Sequence, residues 1–412
     1  MLRKNLKIIH IMNHPPAYEQ YSDKPRPEIN WDTQDGSWVG IWGYDWADQI
    51  ANECLKISYE FEHEVWQPDL RADKIYSHTF ENGLTHRMFP AIVNSKGEII
   101  SPLMLSFLNE EDLKRQIIFH LSYPHFIGLN RQIIDTYGNH KFVLTFNGEI
   151  NLPYNGIFRI QKNPFRKLYY LKEHFLAKKY FNFFGYVTYP SDRNINVLKK
   201  YYKGKLAKLT MGVNTSKFKF IDKQTCRQNL KIPFEKKVIL SVSRLYDMKQ
   251  VDRLIEILNE IDLDFLFIIV GHGTRQYEKY LFDKAKPLLD KNKIRFEGYK
   301  KSDELVKYYN AADIFIHVSK SEAGPVSVME AMACGLPVFC TDTGNTAEVL
   351  KENNSGAVVG IKNYKQWKRK LIEFLNGKPI KALDLDIVKK HYDWKNIAEK
   401  LIKIYKEVLY GI

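Results

Sequence analysis

The decisive stretch of the chain reads Ser321-Glu322-Ala323-Gly324-Pro325-Val326-Ser327-Val328-Met329-Glu330-Ala331-Met332-Ala333-Cys334-Gly335-Leu336-Pro337-Val338. A Gly-Pro turn opens an apolar helix, Gly335 and Pro337 end it, and an apolar strand, Val338-Phe339-Cys340, follows. A helix that starts just after such a turn points unpaired backbone N–H groups outward, and these favour an anion such as a diphosphate. Glu322 precedes the helix, and Glu330, eight positions on, lies about two turns inside it. The two carboxylates can therefore touch different parts of one ligand. Two solvated glutamates would fit the same spacing, so the neighbouring sequence has to decide.

Three more segments sit where strand-like runs end. Ser243-Arg244-Leu245-Tyr246-Asp247-Met248-Lys249 follows the run Lys237–Ser243, and its two cations, five positions apart, can converge on a diphosphate. Gly271-His272-Gly273 follows Phe267–Val270, and its glycines allow backbone to approach a ligand closely. Arg295-Phe296-Glu297-Gly298-Tyr299 closes a third run, where Tyr299 can stack on a base. Each segment alone is ordinary loop chemistry. Their order on consecutive strand ends, leading to the paired glutamates, is not.

At 412 residues and 44 % apolar content, the chain is long enough for two domains, each with a full core. It has no apolar run of about 18 residues, and its N-terminus enters directly on a short strand-like run. Neither a signal peptide nor a transmembrane helix is expected. Cys54, Cys226, Cys334 and Cys340 lack metal-ligand spacing and fit reduced, buried thiols of a cytoplasmic protein.

The net charge of +14 is unevenly spread: residues 1–160 hold 15 Lys+Arg against 20 Asp+Glu, and segment 162–219 holds 14 against 2. Within that segment, basic and aromatic residues alternate at roughly helical spacing from Phe165 to Phe181. Such a helix fits peripheral contact with an anionic membrane, a polyanionic acceptor, or a solvated lysine face over an aromatic core. No nucleic-acid motif accompanies the charge, so no nucleic-acid partner is expected.

Apolar runs alternate with helical stretches throughout, the pattern of parallel sheets with crossover helices. In the first half strands are expected at Leu6–Met12, Glu64–Pro68, His86–Phe89, Gln116–Ser122, Lys141–Asn147 and Tyr186–Tyr189, with a helix from about Ala47 to Ile57. A break at 212–233 precedes a fresh unit: strand Lys237–Ser243, helix 250–260, and strands Phe265–Val270, Lys293–Phe296 and Ile314–Val318. The expected fold class is α/β, two doubly wound parallel-sheet halves with a ligand in the cleft at the strands' C-terminal ends.

The second half resembles the C-terminal domain of the retaining family 4 glycosyltransferases, which have the GT-B fold of two Rossmann-like domains facing across a cleft. The matching residues are Ser243-Arg244-Leu245 with Lys249, Gly271-x-Gly273, Phe296-x-Gly298-Tyr299, Ala312-Asp313-Ile314-Phe315, the Glu322–Glu330 pair through Val338, and Gly344-x3-Glu348. The Gly-Pro inside the pair resembles the polysaccharide-assembling branch. The segment Leu209–Asn214 is similar to the family's interdomain segment, and the tail from Tyr392-Asp393-Trp394 to its last helix. The resemblance implies an acceptor-binding domain at 1–215, a nucleotide-sugar-binding domain at 216–392, and a final helix, about 393–412, crossing back to the first.

By the same resemblance, Arg244 and Lys249 would hold the donor diphosphate, helped by N–H groups near Gly324, Pro325 and Val326. Glu330 would bind the ribose hydroxyls and Glu322 the donor sugar beside its anomeric carbon. Gly271, Gly273, Gly298 and Tyr299 would complete the donor site. The donor would be a nucleotide-sugar, UDP-linked, with no cofactor and no metal.

The first half resembles the family more loosely. Gly40, in Gly36-Ser37-Trp38-Val39-Gly40-Ile41-Trp42-Gly43, stands where the family's Gly-rich loop approaches the phosphates. Trp38 and Trp42 would serve as an acceptor platform, or else bury into the core. Where the family ends a strand with a histidine, this chain has Ser122, flanked by His120 and His125; His125 is taken as the acceptor-side catalytic residue, and His120 and Ser122 as acceptor contacts. Phe146-Asn147-Gly148 departs from the family's His-Gly.

The resulting expectation is a retaining hexosyl- or N-acetylhexosaminyltransferase. It would act on a glycan, lipid-linked or polymer acceptor in bacterial surface polysaccharide synthesis, in the cytoplasm or peripherally on the inner face of the membrane. The rival readings are a GT-B sugar phosphorylase or sugar-nucleotide epimerase, and a catalytically silent GT-B scaffold.

Overall fold

The computed structural model describes residues 6–12, 46–70, 72–95, 98–112, 116–122, 126, 128–146, 164–193 and 195–411. Its strands are β1 (Leu6–Met12), β2 (Glu62–Asp69), β3 (Tyr76–Thr79), β4 (Thr85–Pro90), β5 (Ile92–Val93), β6 (Ile99–Ile100), β7 (Gln116–Ser122), β8 (Lys141–Thr145), β9 (Phe184–Tyr189), β10 (Lys205–Lys208), β11 (Val238–Val242), β12 (Leu266–Val270), β13 (Ile294–Gly298), β14 (Ile314–His317), β15 (Val338–Thr341) and β16 (Ala357–Val359).

They form an eight-stranded sheet, β10-β9-β8-β7-β1-β2-β4-β3, a six-stranded sheet, β13-β12-β11-β14-β15-β16, and the small antiparallel pair β5-β6. The six-stranded sheet is parallel throughout; in the larger sheet only β3 runs antiparallel, against β4. The two doubly wound halves match the expected α/β class.

Burial explains the parallel pairing. Leu266-Phe267-Ile268-Ile269-Val270 is buried along its whole length, as is Ile314-Phe315-Ile316-His317, because helices cover both faces of the sheet. The strands that sequence reasoning missed are those without such a run. Lys205-Leu206-Ala207-Lys208 is a half-exposed edge with a lysine at each end, and Ala357–Val359 is only three residues long. The helix expected from 250 starts instead at Val251, because Gln250 takes a left-handed conformation, φ +47°, after a tight turn at Asp247–Lys249. That turn separates Lys249 from the helix and leaves it at the crevice mouth.

Two passes of chain join the halves and lie side by side. Val213 N–H donates to Tyr392 O at 2.7 Å, and Gly212 lies so close under Trp394 that a Cβ there would stand 2.3 Å from its ring. Gly212 is therefore needed for that approach. The last helix, Trp394–Tyr410, packs against the helix Trp46–Ile57 of the first half and buries Ile397, Leu401, Ile402 and Tyr405. One apolar cluster runs continuously from Ile50 and Cys54 through Leu401 to Met329 and Leu350 of the second half.

Beneath that helix, the Tyr405 hydroxyl and Nδ1 of His120 share a 2.7 Å hydrogen bond in a fully buried setting. Tyr405→Phe should leave the ring packing intact and orphan this nitrogen, at a cost of about 1–3 kcal/mol in chemical denaturation; an unchanged midpoint would show that the bond contributes nothing.

Candidate active site

Read in its own chain order, the six-stranded sheet runs 3-2-1-4-5-6, which reverses direction between β11 and β14. At such a switch point the loops leaving the two strands part in opposite directions and open a crevice at the strands' C-terminal ends. The loop after β11 carries Ser243 to Lys249, and the loop after β14 carries Val318 to Pro325. Sequence distance separates these segments, and topology brings them together.

At their meeting point the Glu322 carboxylate is paired with the Lys249 ammonium and accepts a 2.9 Å hydrogen bond from Nε2 of His317. The Glu322 side chain is 12 % exposed. Burial pushes its pKa up, but Lys249 and the His317 hydrogen bond outweigh that and hold the carboxyl well below the usual range. Glu322 is thus a charged, fixed acceptor at the crevice. Sequence reasoning missed His317. The signal was a polar ring closing the otherwise apolar Ile314-Phe315-Ile316, five residues before Glu322.

Arg244 is exposed at the same mouth, its guanidinium 5.4 Å from the centre of the Tyr246 ring, with Lys249 6.0 Å from that ring on its own account. Across the crevice, Pro325 caps the helix Val326–Ala333, with no side-chain hydrogen bond to that cap among the described residues. Cations and free backbone donors therefore face the space beside Glu322.

The glycines allow a close backbone approach, and the approach the structure shows is to the neighbouring loop. A Cβ on Gly271 would fall 1.9 Å from Ser243 O, and one on Gly273 2.0 Å from Leu245 O. These two residues let the β12 loop run against the β11 loop, continuing the ladder through the 2.8 Å bond from Leu245 N–H to His272 O. They position Arg244 by packing on its loop. Gly298 has φ +67° with open space around it, and Tyr299 beside it is exposed, its ring edge-on to His272 at 5.8 Å.

Glu330 is buried inside its helix, and its carboxylate accepts a 2.7 Å hydrogen bond from the Tyr309 hydroxyl. Burial raises its pKa to about 7, against a smaller opposing pull from Tyr309 and Lys217. The paired glutamates thus sit in opposite electrostatic settings: a cation holds Glu322 ionised, and burial raises the pKa of Glu330.

The larger sheet has its own switch point between β1 and β7, and here burial dominates. His120 is 1 % exposed, bonded through Nδ1 to Tyr405 and through Nε2 to Thr145 Oγ1 at 2.6 Å. Burial lowers its pKa to about 3, so the ring is neutral. His10 lies tilted against it, ring centres 5.0 Å apart, and meets His63 at 3.1 Å. Ser122 is equally buried, its hydroxyl 3.8 Å from Met12 Sδ. The structure places His120 and Ser122 beneath the surface, where His120 ties β7 to the last helix. Trp38, Gly40, Trp42, His125, Asn147 and Gly148 lie outside the described residues.

Comparisons with known proteins agree with this architecture. Residues 222–401 match the family model of glycosyl transferases group 1. The chain is 27 % identical over 212 residues to a D-inositol 3-phosphate glycosyltransferase of Thermobispora bispora, covering 48 % of this chain and 49 % of that protein. It spans about half the length of the curated relatives it matches. Among solved structures, sucrose-phosphate synthase of Thermosynechococcus elongatus superposes with a TM-score of 0.70 at 15 % identity, over 98 % of this chain and 100 % of that one. An Anabaena protein solved in complex with UDP gives 0.67 at 14 %, over 97 % and 100 %. The fold is therefore GT-B, and the group 1 glycosyltransferase family is supported by the matched C-terminal segment.

The setting of Glu330 predicts a pH effect. The folded chain keeps this proton up to about pH 7, whereas the unfolded chain releases it near its ordinary value of 4.5. Over that interval the folded state binds more protons, so this group makes stability fall as pH rises, with no further change above it. In Glu330→Gln, the stability difference between pH 5 and pH 8 should shift by about 1–3 kcal/mol in favour of the higher pH, relative to the parent. Equal differences in urea titrations would refute the assignment.

Proposed function

We propose that this chain is a retaining glycosyltransferase that moves a hexosyl or N-acetylhexosaminyl unit from a UDP-sugar to a glycan, lipid-linked or polymer acceptor in bacterial surface polysaccharide synthesis. The observation that carries the reading is the Lys249–Glu322–His317 set at the switch-point crevice, between the Arg244 loop and an uncapped helix N-terminus. Departure of a nucleoside diphosphate develops negative charge, and preorganised cations and N–H groups lower the barrier to it without reorganising. Arg244, Lys249 and the first N–H groups after Pro325 take that part. Glu322, held ionised, accepts hydrogen bonds from hydroxyls of the transferred sugar beside its anomeric carbon. Glu330 acts from within the helix, on the ribose side.

The domain at 216–392 binds the donor in this reading, and 1–215, with the last helix docked on it, receives the acceptor. The reaction needs no metal when cations and backbone dipoles carry the leaving charge. On the helix Pro164–Tyr180, Leu171 and Phe175 stay exposed beside Lys172, Lys178 and Lys179, while Ala177 and Tyr180 are buried. That exposed face supports peripheral contact with an anionic membrane. No helix among the described residues is long and apolar enough to cross a membrane.

The reading is tested with purified chain and a panel of UDP-, GDP- and ADP-sugars. A UDP-sugar should raise the melting temperature by mass action, and Glu322→Ala should cut UDP release at least about 100-fold, a loss of roughly 2.7 kcal/mol or more in transition-state stabilisation. No shift with any nucleotide-sugar would favour the scaffold alternative, and full turnover by Glu322→Ala would remove the role given to Glu322. Phe175→Glu should weaken co-sedimentation with anionic phosphatidylglycerol vesicles while leaving the melting temperature of the free chain unchanged; unchanged co-sedimentation removes the membrane contact.

A further inference from the structure

Two halves joined by passes of chain move against each other by default, unless contacts away from those passes hold them. In this chain such contacts gather on one side chain. The Glu348 carboxylate takes four donors, all from the first half. Its Oε1 accepts from the Ser191 hydroxyl at 2.6 Å and from the Arg193 backbone N–H at 3.2 Å. Its Oε2 accepts from the Lys208 ammonium at 2.8 Å and from the Asp192 backbone N–H at 3.3 Å. Beside it the Arg193 guanidinium donates to Asp342 O at 2.6 Å and meets the Asp342 carboxylate at 3.2 Å. A lone exposed lysine–glutamate pair would hold little. A carboxylate bonded to two successive backbone N–H groups fixes the course of the loop that supplies them, and hydrogen bonds to an ionised acceptor are the strong ones.

The helix Gly344–Glu352 that bears Glu348 also braces the Glu322 loop. Gly344 lies one turn before Glu348 on the same helix face. Its φ is +66°, and a Cβ there would stand 2.7 Å from Ala323 O and 2.9 Å from Glu322 O. The Asn345 backbone N–H donates to Ala323 O at 2.8 Å. One short helix therefore touches the Glu322 loop at its first turn and the first half at its second.

We propose that Glu348 is a positioning residue: it clasps the loop after β9 to this helix, so that the two halves keep one relative setting without a ligand and the first half stands in register with Glu322. The clasp serves turnover and not nucleotide binding, because the groups given to the diphosphate all belong to the second half. The part concerning turnover rests on the crevice being a nucleotide-sugar site; the part concerning the setting of the halves does not.

The test uses the full-length chain. Its four cysteines are buried, so spin labels on Thr136→Cys and Lys286→Cys, exposed positions of opposite halves, report the distance between the halves. The parent should give one narrow distance distribution with or without UDP. Glu348→Ala, and separately the pair Ser191→Ala and Arg193→Ala, should each broaden it at least about twofold. Both variants should bind UDP within about twofold of the parent. Both should release UDP at least about tenfold more slowly from the UDP-sugar that the parent turns over. A broad distribution in the parent, or an unchanged one in both variants, overturns the clasp. Broadening without slower UDP release overturns the positioning role. Weaker UDP binding in Glu348→Ala, with the Ser191 and Arg193 pair behaving as the parent, would make Glu348 a structural residue of its own helix and sink the proposal. If the parent binds no UDP, the glycosyltransferase reading fails, and the distances alone still decide the clasp.

Discussion

A carboxylate taken out of water beside apolar helices is costly unless a cation and hydrogen bonds hold its charge, and the whole crevice is arranged around meeting that need at Glu322. Lys249 reaches it only because the turn at Asp247–Lys249 interrupts the chain before the next helix, with Gln250 in a left-handed conformation. His317 reaches it because β14 ends in a ring rather than another apolar side chain. The β11 loop in turn keeps its course because Gly271 and Gly273 let the neighbouring loop pack directly on its carbonyls. Removing any one of these weakens the compensation of a buried charge.

The same economy governs how the halves are joined. Glu348 accepts from the Ser191 hydroxyl at 2.6 Å and from the backbone N–H groups of Asp192 and Arg193, while Lys208 pairs with it at 2.8 Å. Arg193 donates to Asp342 O at 2.6 Å. These contacts bind the loop after β9 of the first half to the β15 end and the helix after it in the second. Together with the adjacent passes at Val213 and Tyr392, they fix where the first half stands over the crevice. The buried His120–Tyr405 bond extends the hold to the far end of the last helix.

Much of this was legible in the sequence, and the exceptions have physical causes. Glu322, Arg244 and Lys249 could be picked out because their segments fall in order on consecutive strand ends, although each alone is ordinary loop chemistry. The long buried strands, such as Phe267–Val270, were equally plain, whereas the edge strand Lys205–Lys208 was not, since its lysines break the apolar run. Glu330 looked like a twin of Glu322; that one would be ionised and the other held near pH 7 depended on Lys249 and Tyr309, which lie far away in sequence. The spacing of Gly271 and Gly273 announced a close backbone approach, but only the fold shows that the β11 loop is one partner in it. His120 read as an acceptor contact because nothing local announced that the last helix would cover it.

The central claim is that this crevice binds a nucleoside diphosphate with its charge toward the Arg244 loop and the helix after Pro325. A crystal structure of the full-length chain with UDP tests it directly. The account predicts the diphosphate within about 3 Å of the Arg244 guanidinium, the Lys249 ammonium and the backbone N–H groups of Val326 and Ser327. UDP bound elsewhere, or with its diphosphate turned away from Arg244, would contradict it.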